Sequence, residues 1–513
     1  MPRATPQPAV ATRRASLVLW LAGLLLGAVY LALAVVHITC GLMNADEGFY
    51  AVAARAVWQG ELPYRDFGYT QMPLLPYVNG AVMSLTRFGL FEQRAINGLW
   101  AALAVLLGVR LLVRRGLAGR AVFLVALFAF TPAWQYYIHL GKTYGFVSLV
   151  AMAAVTVLLE WTPGARKSVV LAVLCVVGVG CRLPAAPFFG LLWLASLRDR
   201  DGFVARRATV SVVALVVSAA LLLLPFFLAA PTQARFWVVD FFRISVPLRD
   251  FRVSWREMLA LAPALWLLAV AVALHGLVRR RSWPWPESAV AAAALVTMGF
   301  NLLPRGAYDE YGVPFLLPLA VSLLLFAPEP AWPALGRRSL AVAILLFQVA
   351  IIPALYAPFQ KDEVKQSWSR WLPLSGAPYD VHLRAEIREA RRTVVNALPP
   401  GVDFQGPAII LAVEANRPVP RRLRMGSFSV TSDYSPAEAD RLHLMTFDEL
   451  AEIYRAPETH VLGLHSVNLF NYSWSVPSFR SQTPQERGEW AARFSNLYQP
   501  VYRDPEFQIL VRR

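Results

Sequence analysis

Residues 41–77 read GLMNADEGFYAVAARAVWQGELPYRDFGYTQMPLLPY and follow the first long apolar segment of the chain directly. The stretch places an acidic pair, Asp46 and Glu47, within a few residues of a predicted membrane face. Charge so close to a bilayer is unfavourable unless it faces water or a binding site. The acidic pair is therefore the first candidate for a functional site in this chain.

The same pair also fits a purely structural role. Asn44 is placed to cap a helix in which Glu47 occupies the third position, a pattern close to the capping box. Gly60 and Pro63 predict where that helix ends. Acids in the first turn stabilise a helix through its dipole by at most about 1 kcal/mol. From this helix alone, capping and catalysis are equal alternatives for Asp46 and Glu47.

The composition is that of a polytopic α-helical membrane protein. Of the 513 residues, 57% are hydrophobic and 16% are charged, and many apolar runs exceed the roughly 18 residues that indicate a membrane span. The formal net charge of +16 does not predict nucleic-acid binding, because the arginines cluster beside the apolar runs, as the positive-inside rule describes. The clusters are Arg13-Arg14, Arg114-Arg115, Arg206-Arg207, Arg279-Arg280-Arg281 and Arg337-Arg338. The three cysteines have neither a disulfide framework nor a metal-binding spacing.

Segment length and charge alternation together predict about 11 transmembrane helices. The predicted spans are residues 16–38, 94–113, 121–138, 143–160, 168–181, 184–197, 208–230, 257–278, 288–304, 313–327 and 338–357. Residues 1–15 then form a cytoplasmic tail, and residues 16–358 form the transmembrane domain. The arginine clusters are cytoplasmic in this topology, and the first loop, 39–93, lies on the opposite side.

Two apolar regions allow more than one interpretation. Prolines and a glycine interrupt residues 73–90. A full span there would put Arg110 and the arginines near it on the non-cytoplasmic side of the membrane. The charge rule therefore favours an interfacial or re-entrant pair of helices over 73–90. The segments 168–181 and 184–197 are short and turn at Arg182-Leu183-Pro184, so a single broken helix is the alternative to two spans.

Residues 359–513 have the composition of a soluble α/β domain of ordinary size. An amphipathic helix is predicted over 382–397, and two further helices begin at Ser435 and at Thr446. Strands are predicted at Ala408–Val413, Val461–Leu464 and Gln508–Val511. The topology places this domain on the same side of the membrane as the first loop.

The order of these motifs resembles the GT-C superfamily of integral membrane glycosyltransferases. The resemblance lies in the acidic pair after the first span, GELPYRDF at 60–67, QMPLLPY at 71–77, and Arg94 opening the second span. The branch that it resembles includes the bacterial protein O-mannosyltransferases and the lipid A aminoarabinose transferase. Many of these relatives have His-Pro-Pro where this chain has Gln71-Met72-Pro73, and many have a second aspartate after the third span. The corresponding loop here, His139–Tyr144, contains no acid.

The resemblance implies a reaction and a location. Such enzymes transfer a sugar from a polyprenyl phosphate to a lipid, glycan or protein acceptor on the periplasmic side of the bacterial inner membrane. The usual general base maps to Asp46, with Glu47 beside it as the second choice. The loop 39–93 and the C-terminal domain are then periplasmic, and the N-terminus is cytoplasmic.

The chemistry of this reaction asks for three kinds of group. The acceptor hydroxyl needs a carboxylate as base, the departing phosphate needs fixed positive charge, and the lipid carrier needs an apolar groove. Arginine suits phosphate because its planar fork binds two oxygens. The candidates for binding phosphate or sugar on the outer face are Arg65, Tyr64, Gln71, Lys142, Arg182, Arg243 and Arg305. Residues 305–311 form a compact charged loop, which is either a solvated turn or part of the lining of the site.

Several alternatives stay open from the sequence alone. In the structural alternative, Arg65 and Asp66 pair with each other in the loop. In the same way, the side chain of Arg182 extends to the membrane interface without a role in the site. Asp46 and Glu47 with a distant acid would be the set for a divalent ion, but we expect no metal and no other cofactor. The competing functions are a transporter or flippase of a lipid-linked substrate, and a non-catalytic relative that binds a partner.

Overall fold

A computed structural model gives the fold of the chain. It describes residues 9–41, 43–44, 46–199, 202–245, 255, 258–259, 262–279, 284–301, 309–327, 383–431, 433–465, 485, 489, 492–504 and 507–513. Arg305, the span predicted at 338–357 and the domain boundary predicted at 358/359 lie outside these residues.

The first part of the chain is a bundle of helices. In chain order they are α1 (Ala9–Cys40), α2 (Asp46–Trp58), α3 (Leu74–Met83), α4 (Leu90–Arg114), α5 (Ala118–Ala129), α6 (Pro132–Tyr137), α7 (Tyr144–Glu160), α8 (Ala165–Cys181), α9 (Ala186–Ser196), α10 (Ala205–Leu222), α11 (Leu224–Ala229), α12 (Pro231–Arg235), α13 (Phe241–Ser245), α14 (Pro263–Arg279), α15 (Trp285–Phe300) and α16 (Val313–Phe326). A π-helical turn, Phe236–Asp240, joins α12 to α13, and 3₁₀ turns lie at Leu183–Ala185 and Asp309–Gly312. Two short strands, β1 (Arg198–Asp199) and β2 (Gly202–Phe203), form a hairpin before α10.

Among the described residues, three helices are long and apolar enough to cross a membrane by length and composition. They are α1, α4 and α10, and the other apolar helices of the bundle are shorter. The predicted number of about 11 spans therefore stays a prediction. The structure confirms a mostly helical architecture that includes helices able to cross a membrane.

Prolines divide two of the predicted spans. The segment predicted at 121–138 forms α5 and α6, which break before Pro132. The segment predicted at 208–230 forms α10 and α11, which break before Pro225. Proline lacks the backbone N–H that would continue a helical ladder, which explains both breaks.

The two ambiguous regions have definite structures. Residues 73–90 contain one helix, α3, so the prediction of a helix pair was wrong. Residues 84–89 form a turn and a loop, and α4 begins at Leu90, a full turn before the predicted Arg94. Helices α8 and α9 form an antiparallel hairpin in which Ser196 Oγ donates to Ser168 Oγ at 3.0 Å, so they are two helices and not one broken helix.

One end of the bundle collects the arginines that the sequence assigns to the cytoplasm. Arg110 pairs with Glu160 at 2.7 Å, between the ends of α4 and α7. Arg115 pairs with Glu287 at 3.1 Å, at the start of α15. Arg120 donates to the carbonyl oxygen of Leu324 at 2.6 Å, near the end of α16. The ends of α4, α7 and α16 and the starts of α5 and α15 therefore lie together, as the predicted alternation of spans requires.

The C-terminal part contains the remaining elements. They are α17 (Leu383–Ala397), α18 (Ile409–Glu414), α19 (Pro436–Arg441), α20 (Phe447–Arg455), β3 (Val430–Thr431), β4 (Met445–Thr446), β5 (Val461–His465), β6 (Tyr498–Arg503) and β7 (Phe507–Arg512). Strand β7 lies antiparallel between β5 and β6, and β3 pairs with β4 in parallel. The three predicted helices and the two later predicted strands are confirmed. The strand predicted at Ala408–Val413 is wrong, because those residues belong mainly to α18, whose side chains are buried on every side.

The C-terminal part packs directly on the acidic loop helix, α2. Its buried apolar residues form one core with those of the bundle. Helix α18 lies so close to α2 that a Cβ added to Gly48 would be 3.0 Å from Ile409. Arg55 of α2 donates to the carbonyl oxygen of Arg417 at 2.8 Å, and Glu414 accepts from the backbone N–H of Leu90 at 2.8 Å. The C-terminal part therefore caps α4 and supports α2.

We predict that Glu414→Ala lowers the free energy of unfolding by about 1–3 kcal/mol, because the Leu90 N–H loses its buried acceptor. The measurement is the apparent melting temperature of the full-length protein in detergent. Glu389→Ala is the matched control, since Glu389 is exposed on α17 and pairs with Arg392 of its own helix. Equal melting temperatures for Glu414→Ala and the wild type would contradict the capping role.

Candidate active site

Asp46 begins α2, as the sequence predicts. Asn44 Oδ1 accepts from the backbone N–H of Asp46 at 3.0 Å, and Glu47 Oε2 accepts from the backbone N–H of Asn44 at 2.9 Å. This arrangement is close to the capping box, as predicted, except that Asn44 Oδ1 accepts from Asp46 and not from the backbone N–H of Glu47. The capping contacts use the amide of Asp46 and leave its carboxylate available. The Asp46 side chain is 31% exposed and contacts Lys142 Nζ at 2.8 Å.

Lys142 lies between two carboxylates. Its Nζ is 2.8 Å from Asp46 Oδ2 and 3.3 Å from Glu310 Oε1. The hydroxyl of Tyr144 donates to the same Glu310 oxygen at 2.7 Å. Burial lowers the pKa of Lys142, but Asp46 and Glu310 outweigh burial, so the pKa lies well above its ordinary value. The two carboxylates therefore favour the ammonium form of Lys142 in this site.

Arg182 is the second buried cation of the site. Its guanidinium lies 4.1 Å from the ring centroid of Tyr311 and 4.8 Å from that of Tyr144. Its Nη1 donates to Thr143 Oγ1 at 3.0 Å. The buried Nε donates to none of the residues that the structure describes. Arg182 thus combines cation–π contacts with a buried donor that has no partner among the described residues.

Arg182 faces a cavity of about 500 Å³. Apolar side chains dominate its walls, and the polar groups at Arg182 share the wall with those of Thr70, Gln71, Asn301 and Tyr311. The other lining residues are Met72, Leu183, Pro184, Ala186, Pro187, Val238, Val239, Phe242 and Phe300. The cavity therefore offers a fixed positive charge beside a mostly apolar space.

Glu47 has a different position from Asp46. Its side chain is fully buried and forms a bidentate ion pair with Arg94, with Nε–Oε1 and Nη2–Oε2 distances of 2.8 and 2.6 Å. Oε1 also accepts from the backbone N–H of Gly141 at 2.8 Å. Arg94 in turn donates to the carbonyl oxygen of Gly41 at 2.8 Å. Glu47 holds the loop that carries Lys142, so the geometry gives it a structural role.

The remaining candidates separate into those that line the cavity and those that do not. Gln71 lines the cavity. Tyr64 is buried, its hydroxyl donates to the carbonyl oxygen of Gln71 at 2.5 Å, and its φ of 69° lies in the left-handed region. Arg65 is half exposed and pairs with Asp66 at 2.7 Å. Arg243, which is 66% exposed, is also absent from the cavity wall. The structure thus brings Asp46, Gln71, Lys142 and Arg182 to one region.

Sequence reasoning did not assign roles to Glu310 and Arg94. Glu310 belongs to the charged loop 305–311 that was considered as a lining of the site, but its contact with Lys142 joins residues 168 positions apart. Arg94 was noted only as the start of a span. Arg94 is 1% exposed, and its charge neutralises the buried carboxylate of Glu47. This ion pair explains why an arginine occurs at a buried position.

Among the described residues, no group of three or more His, Cys, Asp or Glu side chains is placed to hold a metal ion. The two acids that meet at the site, Asp46 and Glu310, already share the ammonium of Lys142. The arrangement can accept a proton at Asp46 and bind an anion at Arg182.

The fold is similar to that of proteins whose structures have been solved. ArnT from Cupriavidus metallidurans matches in a crystal structure bound to undecaprenyl phosphate and in the apo state, with TM-scores of 0.61 and 0.60. Each match has 15% sequence identity and covers 95% of this chain and 97% of ArnT. The archaeal oligosaccharyltransferase AglB from Archaeoglobus fulgidus matches with a TM-score of 0.43 and 12% identity, over 85% of this chain and 69% of AglB. No family model and no curated protein sequence matches the chain.

The likeness to ArnT shows that the chain has the fold of ArnT, in agreement with the resemblance that the sequence motifs indicate. Coverage of almost the whole of both chains shows that the likeness includes the bundle and the C-terminal part. At this level of identity the comparison establishes the fold, and the activity has to be argued from the site.

We predict that Glu47→Gln lowers the free energy of unfolding by about 3–5 kcal/mol, because it leaves the Arg94 guanidinium buried without its counter-charge. The apparent melting temperature of the full-length protein measures the effect. Glu47→Met combined with Arg94→Met removes both charges and is expected to recover part of the loss. Arg65→Gln, which breaks an exposed pair, is the control and is expected to change little. A melting temperature for Glu47→Gln equal to that of Arg65→Gln would contradict the structural role.

Proposed function

We propose that this chain is a membrane glycosyltransferase that transfers a sugar from a polyprenyl phosphate to an acceptor hydroxyl. The observation that carries the proposal is Arg182, a buried arginine that lines a largely apolar cavity of about 500 Å³. A polyprenyl phosphate has the matching chemistry, because it joins an anionic head to an apolar chain. The ArnT structure of the same fold is bound to undecaprenyl phosphate, which supports this choice of ligand.

Arg182 is suited to the departing phosphate. When the bond between the sugar and the phosphate breaks, negative charge develops on the phosphate oxygens, and a fixed donor stabilises it without reorganisation. The rings of Tyr144 and Tyr311 and the Thr143 hydroxyl hold the guanidinium in place before the ligand arrives. Gln71 lies on the same wall and is available to hydrogen-bond the head group.

Asp46 is suited to the role of general base. Its carboxylate is partly exposed, and its counter-ion Lys142 keeps it in place. In the proposed step, the acceptor hydroxyl gives its proton to Asp46, and its oxygen forms a bond to the anomeric carbon. The bond from that carbon to the phosphate oxygen breaks, and the electron pair leaves with the polyprenyl phosphate. The atoms and charges balance without a cofactor.

The predicted topology gives the site its location. The site lies among the starts of α7 and α16 and the end of α8. The opposite ends of α7 and α16 lie beside the arginines, where Arg110 pairs with Glu160 and Arg120 donates to Leu324. If the arginine end is cytoplasmic, as the positive-inside rule implies, the site opens on the periplasmic side of the bacterial inner membrane. The acceptor is then a lipid, glycan or protein of the cell envelope.

We predict that Arg182→Met weakens binding of undecaprenyl phosphate by about tenfold or more, because a buried charge-assisted contact to phosphate is lost. Undecaprenyl phosphate itself is the probe, and native mass spectrometry or a thermal shift of the purified full-length protein measures its binding. Arg65→Met is the matched control, since Arg65 is half exposed and absent from the cavity wall. Equal binding by both variants would contradict the phosphate site at Arg182.

We predict that Asp46→Asn reduces sugar transfer by about 100-fold or more, the usual range for removal of a general base. Transfer of radiolabelled sugar from a pool of polyprenyl-phosphate donors to envelope acceptors is measured in matched membranes. Asp46→Asn is expected to retain undecaprenyl phosphate binding, which separates loss of the base from loss of the fold. Asp448→Asn, at a mostly exposed aspartate of the C-terminal part, is the control. Transfer by Asp46→Asn at the wild-type rate would refute the assignment of the base.

A further inference from the structure

The ammonium of Lys142 occupies a position between two carboxylates. Its distances to Asp46 Oδ2 and Glu310 Oε1 are 2.8 and 3.3 Å, and its side chain is 3% exposed. A divalent cation in a protein binds to carboxylate oxygens of the same kind. Lys142 therefore lies between two acids whose oxygens are of the kind that binds a divalent cation.

The loop around Lys142 is fixed independently of the two acids. The backbone N–H of Gly141 donates to Glu47 at 2.8 Å, and its carbonyl oxygen accepts from Gln93 Nε2 at 2.5 Å. A Cβ at position 141 would lie 2.6 Å from the Gln93 side chain, so a larger residue there would displace Gln93. The stem of Lys142 thus starts from a rigid point, and its head reaches a fixed place between Asp46 and Glu310.

The charges around Lys142 balance. Asp46 and Glu310 contribute two negative charges, and Lys142 and Arg182 contribute two positive charges. Removal of the ammonium would leave two carboxylates facing each other at a largely buried point, which is unfavourable. Glu310 also accepts the hydroxyl of Tyr144, and this contact fixes the carboxylate that holds Lys142.

We propose that Lys142 is the resident cation of the active site, in the position that a divalent metal would take between Asp46 and Glu310, and that Glu310 is the residue that positions it. The inference deepens the proposed function, since it rests on Asp46 as the base. Lys142 keeps the Asp46 carboxylate oriented toward the acceptor. The transfer reaction therefore needs no divalent metal at this point, although two acids meet there.

Binding of Mn²⁺ alone tests the proposal on the purified full-length protein. Wild-type protein is expected to bind no Mn²⁺ at this point, because the ammonium occupies it. Lys142→Ala is expected to bind one Mn²⁺ at least about tenfold more tightly than the wild type, since a unit positive charge within about 3 Å of the site is removed. Adding Glu310→Gln or Asp46→Asn to Lys142→Ala is expected to abolish that binding. Electron paramagnetic resonance of free and bound Mn²⁺ measures each titration.

Lys167→Ala is the matched control, because Lys167 lies at the other end of the bundle and donates to the carbonyl oxygen of Trp161. Retained binding of undecaprenyl phosphate shows that a Lys142 variant is folded, and Lys142→Gln replaces Lys142→Ala if the latter is not. Failure of the folded variant to gain Mn²⁺ would overturn the proposal. Mn²⁺ binding by the wild type that Asp46→Asn abolishes would also overturn it, because a metal would then be the resident cation.

The Mn²⁺ titration does not depend on sugar transfer, so its failure is distinguishable from failure of the proposed function. A gain of Mn²⁺ binding in Lys142→Ala supports the resident cation even if no donor tested is a substrate. Once transfer is observed, wild-type activity is expected to be unchanged by EDTA. A loss of activity on chelation that Mn²⁺ restores would count against Lys142 as the cation.

Discussion

The buried ion pair of Glu47 and Arg94 is the interaction on which the site depends. Its two side chains join four segments of the chain, because Arg94 also binds the carbonyl oxygen of Gly41, and Glu47 also binds the amides of Asn44 and Gly141. A buried pair contributes little net stability when it replaces apolar packing, but removal of one partner is strongly unfavourable. Such a pair therefore specifies one arrangement of the loop, and that arrangement places Lys142 beside the start of α2.

The two neighbouring acids have different roles because of helix geometry. Successive residues of an α-helix point about 100° apart, so Asp46 and Glu47 cannot face the same surroundings. The sequence predicted the helix and a pattern close to the capping box but left capping and catalysis as equal alternatives for each acid. Only the packed structure distinguishes them, since the partner of Glu47 is 47 residues away and that of Asp46 is 96 residues away. No local pattern contains that information.

The same contrast holds for the fold. The amphipathic helix at 382–397 was predicted together with its buried face, because one side packs and the other side meets water. The run at Ala408–Val413 was predicted as a strand, because six apolar residues without periodicity fit a buried strand as well as a buried helix. Breaks at Pro132 and Pro225 were visible in the sequence but were included in longer spans. Local chemistry thus predicted elements that have a solvent face, and it failed where neighbours cover every face.

The packing of α2 has a consequence for the C-terminal part of the chain. Residues from Glu47 to Val57 are all buried, so α2 has no broad solvent face. Helix α3 covers part of it, and α18 covers another part, with Arg55 donating to the carbonyl oxygens at the end of α18. A segment that moved away as a lid would expose this apolar surface and leave Arg55 without its acceptors. The C-terminal part is therefore a structural component of the site, because the helix that presents Asp46 is folded between it and the bundle.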